Sequence, residues 1–164
     1  MSWYEAVAFC RWMSEALGER ILLPTEAQWQ YAAQGGDGRA YPWGEKWDGT
    51  RCNNSVVGLL GFLRSKPPGH GERTTPVTAY EGRGDSPFGV ADMVGNVWEW
   101  CLTDYYDGTN DPSKSSNNRV LRGGSWDYED TGHFRCVSRS WGLLVWGIIN
   151  RGFALPSLES LLNF

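Results

Sequence analysis

The sequence predicts an α+β domain in which two N-terminal helices precede a small twisted antiparallel sheet, with much irregular loop between them. Two observations support this fold class. Apolar residues recur at helical spacing only near the N-terminus, whereas bulky and polar residues begin to alternate only after Val90. Between these regions Gly, Pro, Asn and Asp recur every few residues, which favours loops over regular elements.

The two helices are predicted by their capping residues. Each begins with a Ser/Thr-x-x-Glu/Gln capping box, which satisfies the free amides at a helix start. The capping pairs are Ser2 with Glu5 and Thr25 with Gln28. The first helix is expected to end at Gly18, and the second is expected to end at about Ala33, before a Gly-Gly pair.

Strands are predicted in the second half of the chain. Residues 92–101 alternate bulky and polar side chains, as a half-buried strand does. Residues 119–126 are typical of a strand, a tight Gly turn and a second strand. Phe134 to Ser138 and Asn150 to Leu155 are two further candidate strands.

The composition predicts one domain with a substantial core. The chain has 164 residues, of which 41% are hydrophobic, with 21 Gly, 10 Trp and a formal net charge of -4. Such a chain is neither disordered nor collagen-like, and its mild acidity argues against a nucleic-acid partner. No apolar run approaches the roughly 20 residues of a membrane span, so membrane insertion is not expected.

Cysteine spacing and the N-terminus add two expectations. No pair of cysteines is spaced as CxxC, which argues against zinc-ribbon and thioredoxin-like sites, and buried free thiols are expected. The four cysteines are Cys10, Cys52, Cys101 and Cys136. No signal peptide follows Met1, so the location is open between the cytoplasm and display on a surface through a partner.

Four motifs together carry a resemblance to a known family. They are Ser2-Trp3-Tyr4-Glu5-Ala6 with Ala8-Phe9-Cys10, Leu23-Pro24-Thr25-Glu26 through Ala33, Asp92-Met93-Val94-Gly95-Asn96-Val97-Trp98-Glu99-Trp100, and Arg119-Val120-Leu121-Arg122-Gly123-Gly124-Ser125-Trp126. The chain resembles the formylglycine-generating enzyme (sulfatase-modifying factor) family, whose fold is a variant of the C-type lectin fold. The resemblance implies a single domain over residues 1–164 that lacks the family's N-terminal strand and helix.

The resemblance also shows where this chain departs from the family's chemistry. The family's oxidase uses a cysteine pair placed two and seven residues after the aromatic that follows Gly-Gly-Ser. Tyr128 and His133 stand at those positions here. A phenol and an imidazole cannot replace thiolates that bind copper and activate oxygen, so no catalytic residue is expected.

The segment after the Gly-Gly-Ser-Trp motif is unusual for the family, in which it is polar and rich in Asn. In this chain Tyr, His, Trp, Leu, Val and Ile occupy residues 127–151 between family-like framing residues. This pattern resembles the variable proteins of diversity-generating retroelements, in which a reverse transcriptase randomises adenines in a repeat near the 3′ end of the gene. The resemblance implies a diversified face that binds a protein or another surface ligand.

Ten residues are candidates for contact with that ligand. They are Asp127, Tyr128, Asp130, His133, Trp141, Leu143, Val145, Trp146, Ile148 and Asn150. Rigid aromatic side chains provide contact area at low entropic cost. The alternative is that residues 143–149 form a buried strand. The alternative for the function as a whole is a formylglycine-generating-enzyme-like domain that is degenerate or has another activity, and a purely structural part of a larger protein is a third hypothesis.

Calcium is a further implication of the resemblance. In relatives, carbonyls near the positions of Gly95 and Val97 and the carboxylate matching Glu99 bind the ion, which prefers oxygen ligands. Alternatively, Glu99 accepts hydrogen bonds from turn amides. A second family site needs an Asn, which Asn53 or Asn54 could supply, and a downstream Asp, which His70-Gly71-Glu72 does not offer.

The tryptophans and arginines are expected to divide between scaffold and binding face. Trp141 and Trp146 lie where the family is polar and are expected to be exposed. The scaffold tryptophans are expected to be Trp3, Trp12, Trp29, Trp43, Trp98, Trp100 and Trp126. Arg122, Arg135 and Arg139 are expected to brace strands and loops.

Overall fold

The structure, a computed structural model, describes residues 1–56, 69–114 and 117–144. Its regular elements are α1 (Trp3–Leu17), α2 (Glu26–Gln34), β1 (Glu99–Asp104), β2 (Asn118–Arg122) and β3 (Ser140–Leu143). Three short 3-10 turns lie at Val77–Tyr80, Pro112–Lys114 and Thr131–Phe134. None of the helices in these ranges is both long and apolar enough to cross a membrane.

Both predicted helices are confirmed, together with their caps. The Ser2 hydroxyl accepts the Glu5 amide, and the Glu5 carboxylate accepts the Ser2 amide at 2.6 Å. The capping box at the start of α2 forms in the same way. Gly18 ends α1 in the left-handed conformation with φ at 69°, which glycine adopts without steric cost.

The predicted α+β class is confirmed by a three-stranded antiparallel sheet in the order β1-β2-β3. Trp100 of β1 pairs with Leu121 of β2, and Val120 of β2 pairs with Trp141 of β3. The register between β1 and β2 shifts between Trp100 and Asp104. Because successive side chains of a strand point to opposite sides, the sheet has two faces, and each face packs against a different helix.

The two sheet faces form two hydrophobic clusters. Trp100 and Leu121 lie in a cluster with Trp3 and Ala6 of α1. On the opposite face, Val120 packs in a second cluster, which contains Trp29 and Ala33 of α2, Val90, Met93, Cys101 and Cys136. The sheet is therefore the central layer of the described fold, between the two helices.

Three strand predictions were wrong wholly or in part, although residues 99–101 and 119–122 are in strands as predicted. The strand predicted from residue 92 begins only at Glu99, because Asp92 and Asn96 have φ values of 55° and 60°, which a strand cannot contain. Residues 92–98 form a buried turn, and its apolar and polar side chains imitate strand alternation. Phe134 lies in a 3-10 turn and not in a strand, and no strand follows the Gly123-Gly124 turn directly. The candidate strand at 150–155 lies outside the described residues.

The tryptophan predictions are confirmed in part: Trp141 is exposed as predicted, Trp43 and Trp126 are half-buried, and Trp146 lies outside the described residues. Trp3, Trp29, Trp98 and Trp100 are buried, as scaffold residues should be. Trp12 was predicted to be scaffold, but 59% of it is exposed because it lies on the outward face of α1. The four cysteines are free and buried, as predicted.

Arg122 and Arg139 brace the sheet as predicted, whereas Arg135, which was expected to do the same, is exposed. The fully buried Arg122 donates to the Ser138 carbonyl at 2.6 Å and to the Gln30 side chain at 2.5 Å, and its guanidinium lies over the Trp29 ring. Arg139 forms a two-pronged ion pair with Glu26 at 2.8 and 3.0 Å. These contacts join α2 to β2 and to the segment that leads into β3.

Candidate functional site

The described part of the predicted binding face consists of a loop, residues 127–133, and strand β3. Gly123 and Gly124 precede the loop and have φ values of 93° and 77°. A Cβ atom on Gly124 would lie 3.1 Å from the His133 carbonyl oxygen and from the Phe134 ring. Glycine is therefore required at this position, because the backbone turns in the left-handed region and the loop passes closely over it.

Tyr128 and His133 lie side by side at the base of this loop. Their ring centroids are 4.3 Å apart, and both rings meet the buried Trp98 ring edge to face, at 5.6 and 6.5 Å. Both side chains are half-buried. The fold thus brings together the two positions that the resemblance assigns to the family's cysteine pair, and fills them with aromatic rings.

Two of the four cysteines, Cys101 and Cys136, are buried thiols whose surroundings favour the protonated form. Burial raises the pKa of Cys136 to about 12, and it raises the pKa of Cys101 well above its usual value. Both thiols stay protonated at neutral pH, and the thiolate is the form that attacks or binds a metal. Neither cysteine replaces a thiol at position 128 or 133.

The two aspartates of the loop are exposed at its surface. The Ser125 hydroxyl donates to the Asp127 carboxylate. The Asp130 carboxylate accepts the Gly132 amide at 2.9 Å and so caps the 3-10 turn that carries His133. Asp130 therefore has a structural role in shaping the loop, which its residue type alone does not reveal.

Trp141 projects outward from β3, with 44% of its surface exposed. Its neighbour Gly142 faces the opposite side of the strand, where a Cβ atom would lie 2.5 Å from the Trp100 ring. Close packing of Gly142 against the core thus fixes the side of the strand on which Trp141 lies. Leu143 is half-buried.

The candidate residues do not all meet at one point. Among the described residues, no ring contact joins Trp141 to the Tyr128–His133 pair. The loop and β3 are therefore two separate parts of the proposed face. The other candidates, Val145, Trp146, Ile148 and Asn150, lie outside the described residues.

The proposed calcium donors are engaged in other bonds. The buried Glu99 carboxylate accepts the Trp29 indole N–H at 2.5 Å, and not a turn amide as the alternative expected. The Gly95 carbonyl accepts the Val97 amide at 2.7 Å. Within the described ranges, no group of three or more His, Cys, Asp or Glu side chains is placed to hold a metal ion. Calcium at Glu99 stays a prediction of the resemblance.

The Asn side chains proposed for the second calcium site are hydrogen bonded within the protein. Asn53 accepts the Gly71 amide at 2.8 Å and donates to the Arg73 carbonyl at 2.8 Å. Asn54 donates to the carbonyls of Gly49 and Cys52, at 2.9 Å each. These bonds fasten the irregular loops to one another.

The burial of Glu99 predicts a pH-dependent stability. Burial raises the pKa of Glu99 to about 8 from an ordinary value of 4.5. The folded state therefore binds the Glu99 proton more tightly than the unfolded state does. The contribution of protonated Glu99 to the free energy of unfolding is fully present below the unfolded pKa of 4.5 and is lost as the pH rises through about 8. We expect the variant Glu99→Gln, which still accepts the Trp29 N–H, to lose less stability than the wild type over this range.

Thermal melts across this pH range, on both proteins, check this expectation. Asp92→Asn is the matched control, because burial raises the pKa of Asp92 only to about 6. That substitution should flatten only the lower part of the profile. If the melting temperatures of Glu99→Gln and the wild type changed in parallel with pH, the raised pKa of Glu99 would be contradicted.

Together these features define the class of the protein. Two capped helices beside a small antiparallel sheet, with long loops held by buried Asn side chains and Gly turns, form a C-type lectin-like domain of the formylglycine-generating-enzyme type. The family model for the sulfatase-modifying factor enzyme 1-like domain matches residues 1–154. The chain belongs to this family.

Relatives in the family include named enzymes and a named inactive homologue. The chain is 39% identical over 127 residues to bovine (Bos taurus) "Inactive C-alpha-formylglycine-generating enzyme 2", covering 77% of this chain and 37% of that protein. It is 37% identical over 158 residues to the formylglycine-generating enzyme of Streptomyces coelicolor, covering 85% of this chain and 46% of that enzyme. The chain therefore spans less than half the length of these relatives.

Solved structures confirm the fold. Variable protein 1 of Treponema denticola matches with a TM-score of 0.69 at 23% identity, covering 93% of this chain and 68% of that one. PvdO from Pseudomonas aeruginosa matches with a TM-score of 0.67 at 22% identity, covering 88% of this chain and 55% of that one. At these identities the likeness is evidence for the fold alone.

Proposed function

We propose that this chain is a non-enzymatic ligand-binding protein, a lectin-like scaffold whose segment 127–151 is a variable binding face made by a diversity-generating retroelement. The observation that carries this proposal is Trp141, a large aromatic ring exposed on a strand whose next residue packs tightly against the core. Such a ring adds contact area without being needed for folding. The residue type at position 141 can therefore vary while the scaffold stays constant.

The contrast between scaffold and face supports the proposal. Scaffold side chains such as Arg122 and Trp98 are buried and meet several elements, whereas Asp127 and Trp141 are exposed. Rigid aromatic groups on a fixed framework are typical of paratopes, in which a few large side chains supply most of the binding free energy. The ligand is a protein or another surface ligand that such a face can contact.

This contrast predicts which substitutions the fold tolerates. We expect Trp141→Asn, which restores the polar character of the family at this position, to change the free energy of unfolding by less than about 1 kcal/mol. Val120→Asn is the matched control, since Val120 is the buried residue paired with Trp141. That variant should lose about 2–4 kcal/mol, because it buries an amide without partners in an apolar cluster. Urea unfolding measures both.

The binding-face proposal fails if Trp141→Asn unfolds the domain as readily as Val120→Asn does. In that case Trp141 would be part of the core, and its position could not vary freely. Equal and small effects would instead show that this face of the sheet tolerates a polar residue at the buried position as well as at the exposed one, and the contrast between scaffold and face would be lost.

The second candidate function is a degenerate formylglycine-generating-enzyme-like domain. The similarity to a protein named as an inactive enzyme of this kind favours it. Incubation with a Cys-containing sulfatase peptide, copper and oxygen separates an active oxidase from both proposals. Because Tyr128 and His133 stand in place of the thiols, we expect no conversion of the peptide cysteine, and turnover would overturn this assignment.

A further inference from the structure

The outward face of α1 carries an apolar groove that the ligand-binding proposal does not use. Tyr4 and Trp12 flank it with 55% and 59% of their surfaces exposed. The groove has a volume of about 350 Å³, and its lining residues are Tyr4, Val7, Ala8, Arg11, Trp12 and Glu15. Exposed aromatic rings on one face of a helix indicate a surface that excludes water by contact with a partner.

The spacing of residues along α1 places two charged side chains and the Trp12 ring next to each other in this groove. Arg11 and Glu15 are one helical turn apart on the exposed face, and Trp12 lies beside them. The Trp12 ring packs beside the Phe9 ring, whose centroid is 5.5 Å away. The groove therefore presents an aromatic surface next to one positive and one negative group.

This arrangement is complementary to itself in one orientation. When two α1 helices pack antiparallel about a two-fold axis at the level of residue 13, each Arg11 lies opposite the partner's Glu15. The same axis brings the two Trp12 rings together. A parallel arrangement would instead place Arg11 opposite the partner's Arg11, which is repulsive. Opposite charges in register select orientation, whereas buried aromatic area supplies most of the binding free energy.

We propose that the outer face of α1 is a docking surface for a second copy of this chain, in an antiparallel α1–α1 dimer centred on Trp12. One helix face is small compared with the interface of a permanent dimer, so the association is weak and depends on concentration. The dimer would carry two copies of the proposed binding face. Linked faces bind a repetitive ligand surface more tightly than single ones do.

A charge-swap experiment tests this dimer, using sedimentation equilibrium to measure mass. The wild type should shift from monomer to dimer with rising concentration, and Trp12→Ala should remain a monomer. Arg11→Glu alone and Glu15→Arg alone should each remain monomeric, because each places like charges opposite one another. An equimolar mixture of these two variants should regain the dimer, since both opposite-charge pairs re-form between unlike chains.

Two controls keep the test decisive. Trp141→Ala, which removes an exposed ring from the proposed binding face, should dimerise like the wild type, so failure of the dimer and failure of the binding face are distinguished. Circular dichroism establishes that each variant is folded, and the substituted side chains on α1 are exposed. A wild type that stays monomeric at every concentration would overturn the proposal. So would a dimer that ignores both the Trp12 substitution and the charge swaps.

Discussion

Replacing Arg122 by methionine is expected to destabilise the fold by about 3–5 kcal/mol, the range for breaking a buried charged network from one side. The guanidinium is fully buried, donates to Ser138 and Gln30, and lies 3.8 Å from the Glu26 carboxylate. Methionine fills part of the volume but leaves these acceptors without their donor. Because the contacts join α2, β2 and the approach to β3, their loss affects the whole described core.

Urea unfolding of Arg122→Met against Arg135→Met measures this effect. Arg135 directly follows the 3-10 turn Thr131–Phe134 and is exposed. Its substitution should therefore leave the free energy of unfolding within about 0.5 kcal/mol of the wild-type value. Similar losses in both variants would mean that the effect comes from the loss of a positive charge and not from the buried contacts of Arg122. A tolerated Arg122→Met would show that the buried arginine does not hold α2 to the sheet.

Gly95→Ala is expected to have the second large effect, because two costs add at this position. The φ of Gly95 is 78°, a conformation that costs an L-residue about 1–2 kcal/mol. A Cβ atom there would also lie 2.4 Å from the Asn53 carbonyl oxygen and 3.1 Å from Cβ of Cys52. Both neighbours are buried, so relief of this clash requires movement of the backbone.

Gly89→Ala is the matched control that separates the two costs. Its φ is 76°, almost the same as that of Gly95, but no heavy atom lies within 4 Å of its Cβ position. It should therefore show only the conformational cost of about 1–2 kcal/mol. Thermal unfolding of Gly95→Ala should show a loss at least about 2 kcal/mol larger, as overpacking of a core adds to that cost. Equal losses would contradict the close approach of the two loops.

The helices could be predicted from sequence because their signals are local. A capping box spans only four residues, and the Gly at each helix end acts through its own backbone angles. The first part of the strand predicted at residues 92–101, residues 92–98, failed for the opposite reason. Asn96 binds the backbone of Thr75, which is 21 residues away in the chain, and this tertiary contact holds the turn. The pattern of apolar and polar residues within this segment carries no information about a partner so distant in the chain.

The candidate site was predictable in part for similar reasons. The positions of Tyr128 and His133 follow from their distance to a family motif, but their ring contact depends on the Gly124 turn and the Asp130 cap. The acceptor role of Glu99 toward Trp29 joins residues that are 70 apart. Trp12 was misplaced because it was grouped with the scaffold tryptophans, although its helical spacing from Tyr4 and Ala8 places it on one face with exposed residues.

We propose above all that segment 127–151 varies by retroelement mutagenesis on a constant scaffold. Sequencing the DNA that flanks the gene tests it most directly. The predicted result is a near-copy of the stretch encoding residues 123–153, differing at adenines, beside a reverse transcriptase gene. Sibling copies should then differ at Trp141 and Tyr128 and agree at Trp98 and Arg122. A segment that is the same in every sibling copy would contradict the claim.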